Sequence, residues 1–155
     1  MKKFELTSEF ITNVLGTKLF RIKALIEFGD VSAGELGGYI EKEENLAQDG
    51  NAWVYGNAKV YGNANVYGNA EVCGDADYST VKGFGRIFRT TTFFRTKDKA
   101  IGVNCGCFYG TLEEFRDKVR ETHGDSKTAK EYLMLADLME YKFSREMDVE
   151  EEVNQ

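Results

Sequence analysis

The segment from residue 82 to residue 99 carries the side chains best suited to chemistry. It holds six basic residues and one acid, Asp98, for a local charge of +5 in a chain of net charge −6. Arginine guanidinium groups and hydroxyls can donate hydrogen bonds to phosphate, and aromatic rings can stack on nucleobases. We therefore predict a phosphate or nucleotide site whose candidate residues are Arg86, Arg89, Thr90, Thr92, Phe94, Arg95 and Lys97. The alternative is a hairpin whose basic face pairs with acidic helices and the acidic tail.

Nucleophiles, bases and metal ligands are sparse. His123 is the single histidine, and it follows a helical pattern, so an exposed helix end is favoured over a catalytic base. The three cysteines, Cys73, Cys105 and Cys107, form neither a disulfide framework nor a zinc motif. We read them as reduced structural thiols, with a redox or metal pair at Cys105 and Cys107 as the alternative. The sequence predicts no catalytic residue, no metal and no cofactor.

Four aromatic residues form a candidate partner surface: Trp53, Tyr55, Tyr61 and Tyr67. They occupy positions of a repeat that we expect to face outward, the tyrosines as one column. An exposed aromatic ladder fits a protein interface. The same column could instead be the face against which the flanking elements pack.

These residues are carried by a six-residue repeat that starts at Gly50 and reads GNAWVY, GNAKVY, GNANVY, GNAEVC and GDADYS. Alanine and valine stand two apart in each unit, so both point to the same, inner side of an extended segment. Counting back by six extends the inner column to Leu46 and Ile40. Glycine and asparagine tolerate positive φ and suit the corners between units.

The flanks divide into four further segments. Residues 1–35 read as an N-terminal β cap, 36–80 as the repeat, 81–110 as a basic β-hairpin, 111–143 as two helices and 144–155 as a disordered acidic tail. The first helix is predicted to begin with a capping box at Thr111 and Glu114 and to end before Gly124. The second is predicted from Ser126 to about Phe143, with an apolar stripe at spacings of three and four.

The repeat column, with Val54 and Ala58, Val60 and Ala64, and Val66 and Ala70 in register, resembles the hexapeptide-repeat family. That resemblance implies a mainly β fold: a short left-handed parallel β-helix of about two and a half coils, with N-terminal β-strands and a C-terminal β-hairpin plus two α-helices. Many members of the family are acyltransferases that use a histidine base. The absence of histidine from residues 1–122 argues against that activity here.

Over the whole chain, the order of segments resembles small phage and prophage hexapeptide-repeat proteins labelled polymer-forming. The resemblance implies a non-enzymatic binding protein that antagonises bacterial host defence, by binding an effector such as a CRISPR nuclease or by sequestering a signalling nucleotide. The alternatives are a hexapeptide-repeat acyltransferase and a self-assembling structural module. We expect a homo-oligomer in the cytoplasm of the host bacterial cell, without membrane association.

Overall fold

The computed structural model describes residues 2–74, 77–85, 89–105 and 108–144, and these form a mainly β protein with two helices. The strands are β1 (Phe4–Thr12), β2 (Lys18–Ala24), β3 (Leu36–Ile40), β4 (Trp53–Val54), β5 (Lys59–Val60), β6 (Glu71–Val72), β7 (Tyr78–Phe84), β8 (Arg89–Arg95), β9 (Ile101–Cys105) and β10 (Phe108–Thr111). The helices are α1 (Leu112–His123) and α2 (Lys127–Lys142), and a 3₁₀ turn spans Glu43–Asn45.

The N-terminal sheet has the strand order β1-β2-β3-β5. β1 and β2 form an antiparallel hairpin, β3 adds antiparallel to β2, and β5 of the repeat adds parallel to β3. β3 approaches the repeat closely because Gly37 and Gly38 have no side chain. A Cβ on Gly37 would lie 2.6 Å from the carbonyl oxygen of Val54, and one on Gly38 would lie 2.5 Å from that of Ala58.

The repeat buries its alanines and valines, as predicted. Ala52, Ala58, Ala64 and Ala70 are at most 2% exposed, and Val54, Val60, Val66 and Val72 are fully buried, as is Ile40. The repeat glycines Gly50, Gly56, Gly62 and Gly68 all have positive φ, between 56° and 70°, which confirms the predicted corners. The parallel bridges join residues 18 apart in β4 and β6, and 20 apart in β3 and β5.

The predicted left-handed parallel β-helix is wrong as a description of the fold. In the part of the chain that the structure describes, no continuous parallel solenoid is seen. The repeat contributes strands of two residues each, and these belong to two separate sheets, one of them mixed. The corner glycines interrupt the extended backbone after every few residues, so the ladders stay short, and the remaining contacts are single bridges such as that from Leu46 to Val66.

The C-terminal sheet has the strand order β10-β9-β8-β7 and is antiparallel throughout. β8 and β9 are the strands of the predicted hairpin, but they are the middle of a larger sheet. Successive side chains of β8 point to opposite faces. Phe94 packs in the core of the repeat, whereas Phe93 packs in a second core beneath the helices. β8 is therefore covered on both sides.

Both helices lie where the sequence predicts them. The Thr111 hydroxyl accepts a hydrogen bond from the Glu114 N–H at 3.1 Å, and a Glu114 carboxylate oxygen accepts one from the Thr111 N–H at 3.0 Å, which confirms the capping box. α1 buries Leu112, Phe115 and Val119. α2 buries the stripe made by Ala129, Tyr132, Ala136 and Met139, and Phe143, which follows the helix, is also buried. Arg116 of α1 links the two helices through ion pairs with Asp137 and Glu140 of α2.

Neither helix is long and apolar enough to cross a membrane, a statement that covers the described residues. The predicted acidic tail lies, from residue 145 onward, outside the residues that the structure describes. The five-segment division of the chain stays a prediction.

The close approach of β3 to the repeat gives a stability test. We expect Gly37→Ala to lower the free energy of unfolding by about 1–3 kcal/mol, because the new methyl group must displace the Val54 carbonyl and the Trp53 ring. The measurement is urea unfolding followed by circular dichroism. Gly74→Ala is the matched control, since a Cβ there meets nothing within 4 Å and the φ of Gly74 is not positive. Equal effects of the two substitutions would contradict the packing argument.

Lys3 gives a pH test. Its ammonium donates to the Ala52 carbonyl at 2.7 Å and lies 4.7 Å from the centre of the Phe28 ring, and burial lowers its pKa from 10.5 to about 8. Between pH 8 and 10.5 the folded state therefore binds fewer protons than the unfolded state. We expect the stability of the wild type, relative to Lys3→Met, to rise with pH across this window and to be flat below it. A difference that falls or does not change, in urea titrations at several pH values, would refute this.

Candidate functional site

A cleft of about 190 Å³ opens where the repeat meets the C-terminal sheet and the start of α1; we call it the junction cleft. Four parts of the chain form it: Asn69 from a repeat corner, the turn between β8 and β9, the strands β9 and β10, and the first turn of α1. Its polar lining consists of Asn69, Thr96, Asp98, Tyr109, Thr111 and Glu114. The junction cleft thus brings two carboxylates and three hydroxyls to one depression.

Backbone bonds hold the walls of the junction cleft together. Lys97 donates its N–H to the Asn69 carbonyl at 3.0 Å, and an antiparallel bridge joins Ala70 to Thr96. In the preceding repeat unit, the Asn65 N–H donates to the Thr92 hydroxyl at 3.1 Å. The turn that carries Asp98 is thus fixed to the end of the repeat, so the cleft is a preformed feature of the fold.

The two carboxylates of the cleft are each held by a local bond. The Thr96 hydroxyl donates to Asp98, and this bond lowers the pKa of the Asp98 carboxyl below its ordinary value. Glu114 is held by the Thr111 N–H through the capping box. Both carboxylates are therefore oriented by bonds to their own segment. No cationic side chain is among the described residues that line the cleft.

Tyr109 forms the aromatic wall. Its ring stacks on Phe94, with centroids 6.4 Å apart and planes 10° apart, and contacts Tyr67 at 5.9 Å. Burial raises the pKa of its hydroxyl. The ring fits against the repeat because Gly68 has no side chain: a Cβ there would lie 1.5 Å from the Tyr109 hydroxyl oxygen. Gly68 is thus required both by its positive φ and by this contact.

The predicted phosphate-binding residues are not gathered into one site. Arg86 lies outside the described residues, and of Arg89 only the backbone, at the start of β8, is described. Thr90 is half-buried, whereas Thr92 and Phe94 are buried against the repeat. Lys97 is exposed and pairs with Asp30 at 2.5 Å. Phosphate or nucleotide binding by this segment stays a prediction.

Arg95 is a buried residue that forms bonds within the protein. It is 5% exposed, and its Nε lies 2.8 Å from Asp77, while its Nη1 donates to the carbonyl of Phe143 at 2.6 Å. Its guanidinium also lies over the Phe143 ring. Arg95 therefore joins the exit of the repeat to the end of α2.

The predicted aromatic column does not exist as one surface. Trp53 is fully buried between Phe4 and Phe28, so its expected outward orientation is wrong. Tyr55 is half-buried against the first core, Tyr61 is exposed and Tyr67 contacts Tyr109. Residues that pair across the parallel bridges are 18 or 20 positions apart in the sequence. Successive tyrosines are only six positions apart, so each lies beside different neighbours. A partner-binding role for these residues stays a prediction.

His123, Cys73 and Cys105 are not among the residues that line the junction cleft. His123 ends α1 and stacks on Tyr132 at 6.0 Å, and Cys105 accepts a hydrogen bond from the Thr91 hydroxyl at 3.1 Å. Cys73 is exposed, and Cys107 lies outside the described residues. No group of three or more histidine, cysteine, aspartate or glutamate residues that could hold a metal was found in the described ranges.

Sequence reasoning missed the residues of the junction cleft. Asp98 was read as the lone acid of a basic segment, Tyr109 as part of a strand, and Glu114 as a helix cap. One signal was available. The run from Thr90 to Phe94 does not alternate between polar and apolar residues, which is typical of a strand buried on both faces. Such a strand needs an element packed on each side. Which residues then meet at the junction depends on strand pairing between distant segments.

Comparison with known proteins adds one relative. No protein-family model matches the chain. The chain is 44% identical over 62 residues, covering 36% of its own length, to the uncharacterized acetyltransferase YdcK of Escherichia coli (strain K12). The match covers 19% of that relative, so the chain spans about a fifth of its length. The similarity is consistent with the resemblance to hexapeptide-repeat proteins.

The name of this relative overturns one prediction. The sequence was interpreted as that of a non-enzymatic protein, chiefly because residues 1–122 contain no histidine. The named relative is an acetyltransferase and points to an enzyme, so that prediction is wrong. The absence of histidine excludes one kind of base and not the reaction, because a carboxylate can also accept a proton.

The two basic candidates that the structure describes in full give a matched test. We expect Arg95→Met to lower the free energy of unfolding by about 3–5 kcal/mol, because it leaves the charge of Asp77 buried without its partner. Lys97→Met breaks an exposed pair and should cost at most about 1 kcal/mol. Thermal and urea unfolding of both variants provide the comparison. A mild effect of Arg95→Met would mean that Arg95 is not the link between the two halves.

Proposed function

We propose that this protein transfers an acetyl group from a thioester donor to an acceptor amine or hydroxyl. The observation that carries the proposal is the similarity, over 62 residues, to a protein named as an acetyltransferase. The matched part is a fraction of that relative, so the activity, the donor and the acceptor are all part of the proposal. This similarity favours the hexapeptide-repeat acyltransferase over the non-enzymatic binding protein.

We place the reaction in the junction cleft. Acetyl transfer from a thioester needs a group that takes the proton from the acceptor as its nitrogen or oxygen attacks the carbonyl carbon. The C–S bond then breaks, and the sulfur leaves as a thiolate that takes up a proton. Glu114 is our candidate for the base, because its carboxylate lines the cleft and the Thr111 N–H fixes its position.

Asp98 is less suited to this role. Its bond from the Thr96 hydroxyl stabilises the anion and lowers the pKa of the carboxyl, which makes it a weaker proton acceptor. A carboxylate that stays ionised can instead orient the acceptor by accepting a hydrogen bond or by pairing with an ammonium group. Tyr109 supplies a flat apolar wall against which either substrate can lie.

His123 is the rival base, since it is the only imidazole in the chain. It lies nine residues after Glu114 on the same helix, about 13 Å along the axis at 1.5 Å per residue. Its ring stacks on Tyr132 of α2. The two candidates are therefore at opposite ends of α1 and can be tested independently.

Antagonism of host defence and nucleotide sequestration stay predictions. Antagonism of host defence is implied by the resemblance to phage and prophage proteins, and nucleotide binding is predicted from the basic segment. The buried arginine of that segment bonds to Asp77 and Phe143, and its exposed Lys97 pairs with Asp30. No contact among the described residues adds support to either function.

The test is a thioester-cleavage assay with acetyl-CoA and a panel of amine and hydroxyl acceptors, in which the released thiol is measured. We expect acceptor-dependent release, and we expect Glu114→Gln to lower the rate by at least about 100-fold, the usual contribution of a positioned base. Glutamine also serves at this position of a capping box, so the helix start should be retained.

Two results would overturn parts of the proposal. A loss of activity in His123→Ala, with full activity in Glu114→Gln, would move the base to the other end of α1. Absence of acceptor-dependent thiol release across the panel, together with no heat of acetyl-CoA binding by calorimetry, would reject acetyl transfer altogether. Equal unfolding midpoints of wild type and variants check that the comparison concerns chemistry and not folding.

A further inference from the structure

The junction cleft carries two negative charges that its own walls do not neutralise. Asp98 is held by the hydroxyl of Thr96, and Glu114 is held by the N–H of Thr111. Both donors are neutral, so they orient the carboxylates and leave the negative charge in place. Neither carboxylate forms an ion pair with a cationic side chain among the described residues. The cleft therefore has a net negative charge.

The lysines of the adjoining turn do not supply the missing positive charge. Lys97 forms an exposed ion pair with Asp30 at 2.5 Å. Lys99 is exposed and is not among the residues that line the cleft. Carboxylates gathered in a depression with apolar walls concentrate the electric field and attract cations. The junction cleft is therefore suited to a positively charged group of a ligand.

The aromatic wall of the cleft adds to this preference. Burial raises the pKa of the Tyr109 hydroxyl, and the charge of Glu114 raises it further, although a hydrogen bond with the Asn69 backbone lowers it. Glu114 and the Tyr109 hydroxyl are thus close enough to interact. The rings of Tyr109 and Tyr67 contact each other and are 46% and 41% exposed. Aromatic rings beside carboxylates are typical of sites that bind organic cations.

The volume of the junction cleft limits the size of the ligand. A cavity of about 150 Å³ can hold a benzene ring, and the cleft has about 190 Å³. An ammonium group on one ring or on a short alkyl chain therefore fits. An amine that also bears a carboxylate or a phosphate is disfavoured, because Asp98 and Glu114 repel its second group.

We propose that the acetyl acceptor in the junction cleft is a small primary amine without acidic groups, which binds as its ammonium ion with Asp98 as the counter-charge. This inference rests on the proposed function, since it names the acceptor of that transfer. Asp98 is assigned to binding because the bond from the Thr96 hydroxyl stabilises its ionised form. Glu114 keeps the role of the base.

The protons of the ammonium group are all accounted for in this reaction. Glu114 takes the first proton, and the neutral nitrogen then forms a C–N bond with the carbonyl carbon of the thioester. The C–S bond breaks, and the thiolate takes the second proton from the nitrogen. The products are an acetamide and a thiol, and Glu114 releases its proton to water. The neutral product no longer pairs with Asp98, which favours its release.

Binding in the absence of the donor tests the ammonium site by itself. The probes are benzylamine, a cation at neutral pH, the uncharged benzyl alcohol, and para-aminomethylbenzoate, which adds a carboxylate to the amine. We expect calorimetric titration of the full chain to give benzylamine an affinity at least about tenfold higher than that of either other probe. Asp98→Asn should remove this preference, because asparagine can still accept the bond from Thr96 but carries no charge.

An exposed carboxylate elsewhere provides the matched control. Asp125→Asn removes one negative charge beyond the end of α1 and should leave the three affinities unchanged. With acetyl-CoA present, Asp98→Asn should raise the KM for benzylamine by at least about tenfold and change kcat by less than about threefold. Glu114→Gln should lower kcat instead. This difference separates a residue that binds the acceptor from the base.

The outcomes distinguish this inference from the proposed function. Acetyl transfer that is as fast to benzyl alcohol or to para-aminomethylbenzoate as to benzylamine overturns the inference and leaves the proposed function intact. Benzylamine binding that requires Asp98, without transfer to any acceptor, rejects the proposed function and keeps the ammonium site. Benzylamine binding that is equal in wild type and Asp98→Asn, or the lack of any benzylamine binding, rejects the ammonium site.

Discussion

A buried ion pair between Arg95 and Asp77 holds the two halves of this protein against each other. Arg95 ends β8, the strand that the two hydrophobic cores share, and Asp77 follows the repeat. The same guanidinium reaches the carbonyl of Phe143 at the end of α2, so one side chain ties the repeat, the C-terminal sheet and the second helix together. The junction cleft exists because these parts are locked in one arrangement. The pair is buried, so removing either member leaves the charge of the other buried without its counter-charge.

Local patterns predicted the local structure well. The inward alanines and valines, the glycine corners, the capping box of α1 and the apolar stripe of α2 follow from periodicity and from short-range hydrogen bonds, which involve residues close in the chain. The pairing of distant segments did not follow. A strict repeat of six residues indicated a single solenoid, but the short extended segments distribute among separate sheets, and strands outside the repeat pair with one of them. Trp53 illustrates the cause: its repeat position faces outward by pattern, yet the N-terminal strands cover it.

The candidate site was hidden from the sequence for a related reason. Its residues come from a repeat corner, a turn, a strand and a helix start, and the motifs among them, the repeat and the capping box, are structural and do not indicate a site. The basic residues that drew attention instead are divided between a buried structural arginine and an exposed lysine paired with Asp30. The charged residues of the basic segment therefore indicated where ion pairs form. The cleft lies elsewhere, where two separately packed cores meet. A carboxylate in such a cleft can serve as a base without the histidine that the family resemblance led us to seek.

The burial of Trp53 has a spectroscopic consequence. It is the only tryptophan of the chain, and its ring lies 5.3 Å from Phe28 and 6.3 Å from Phe4, wholly within the first core. Indole fluorescence therefore reports on the repeat and the N-terminal sheet, while both helices belong to the second core and dominate the far-ultraviolet dichroism. The two signals observe different halves of one molecule. Whether their unfolding curves coincide measures directly how strongly the two cores are coupled.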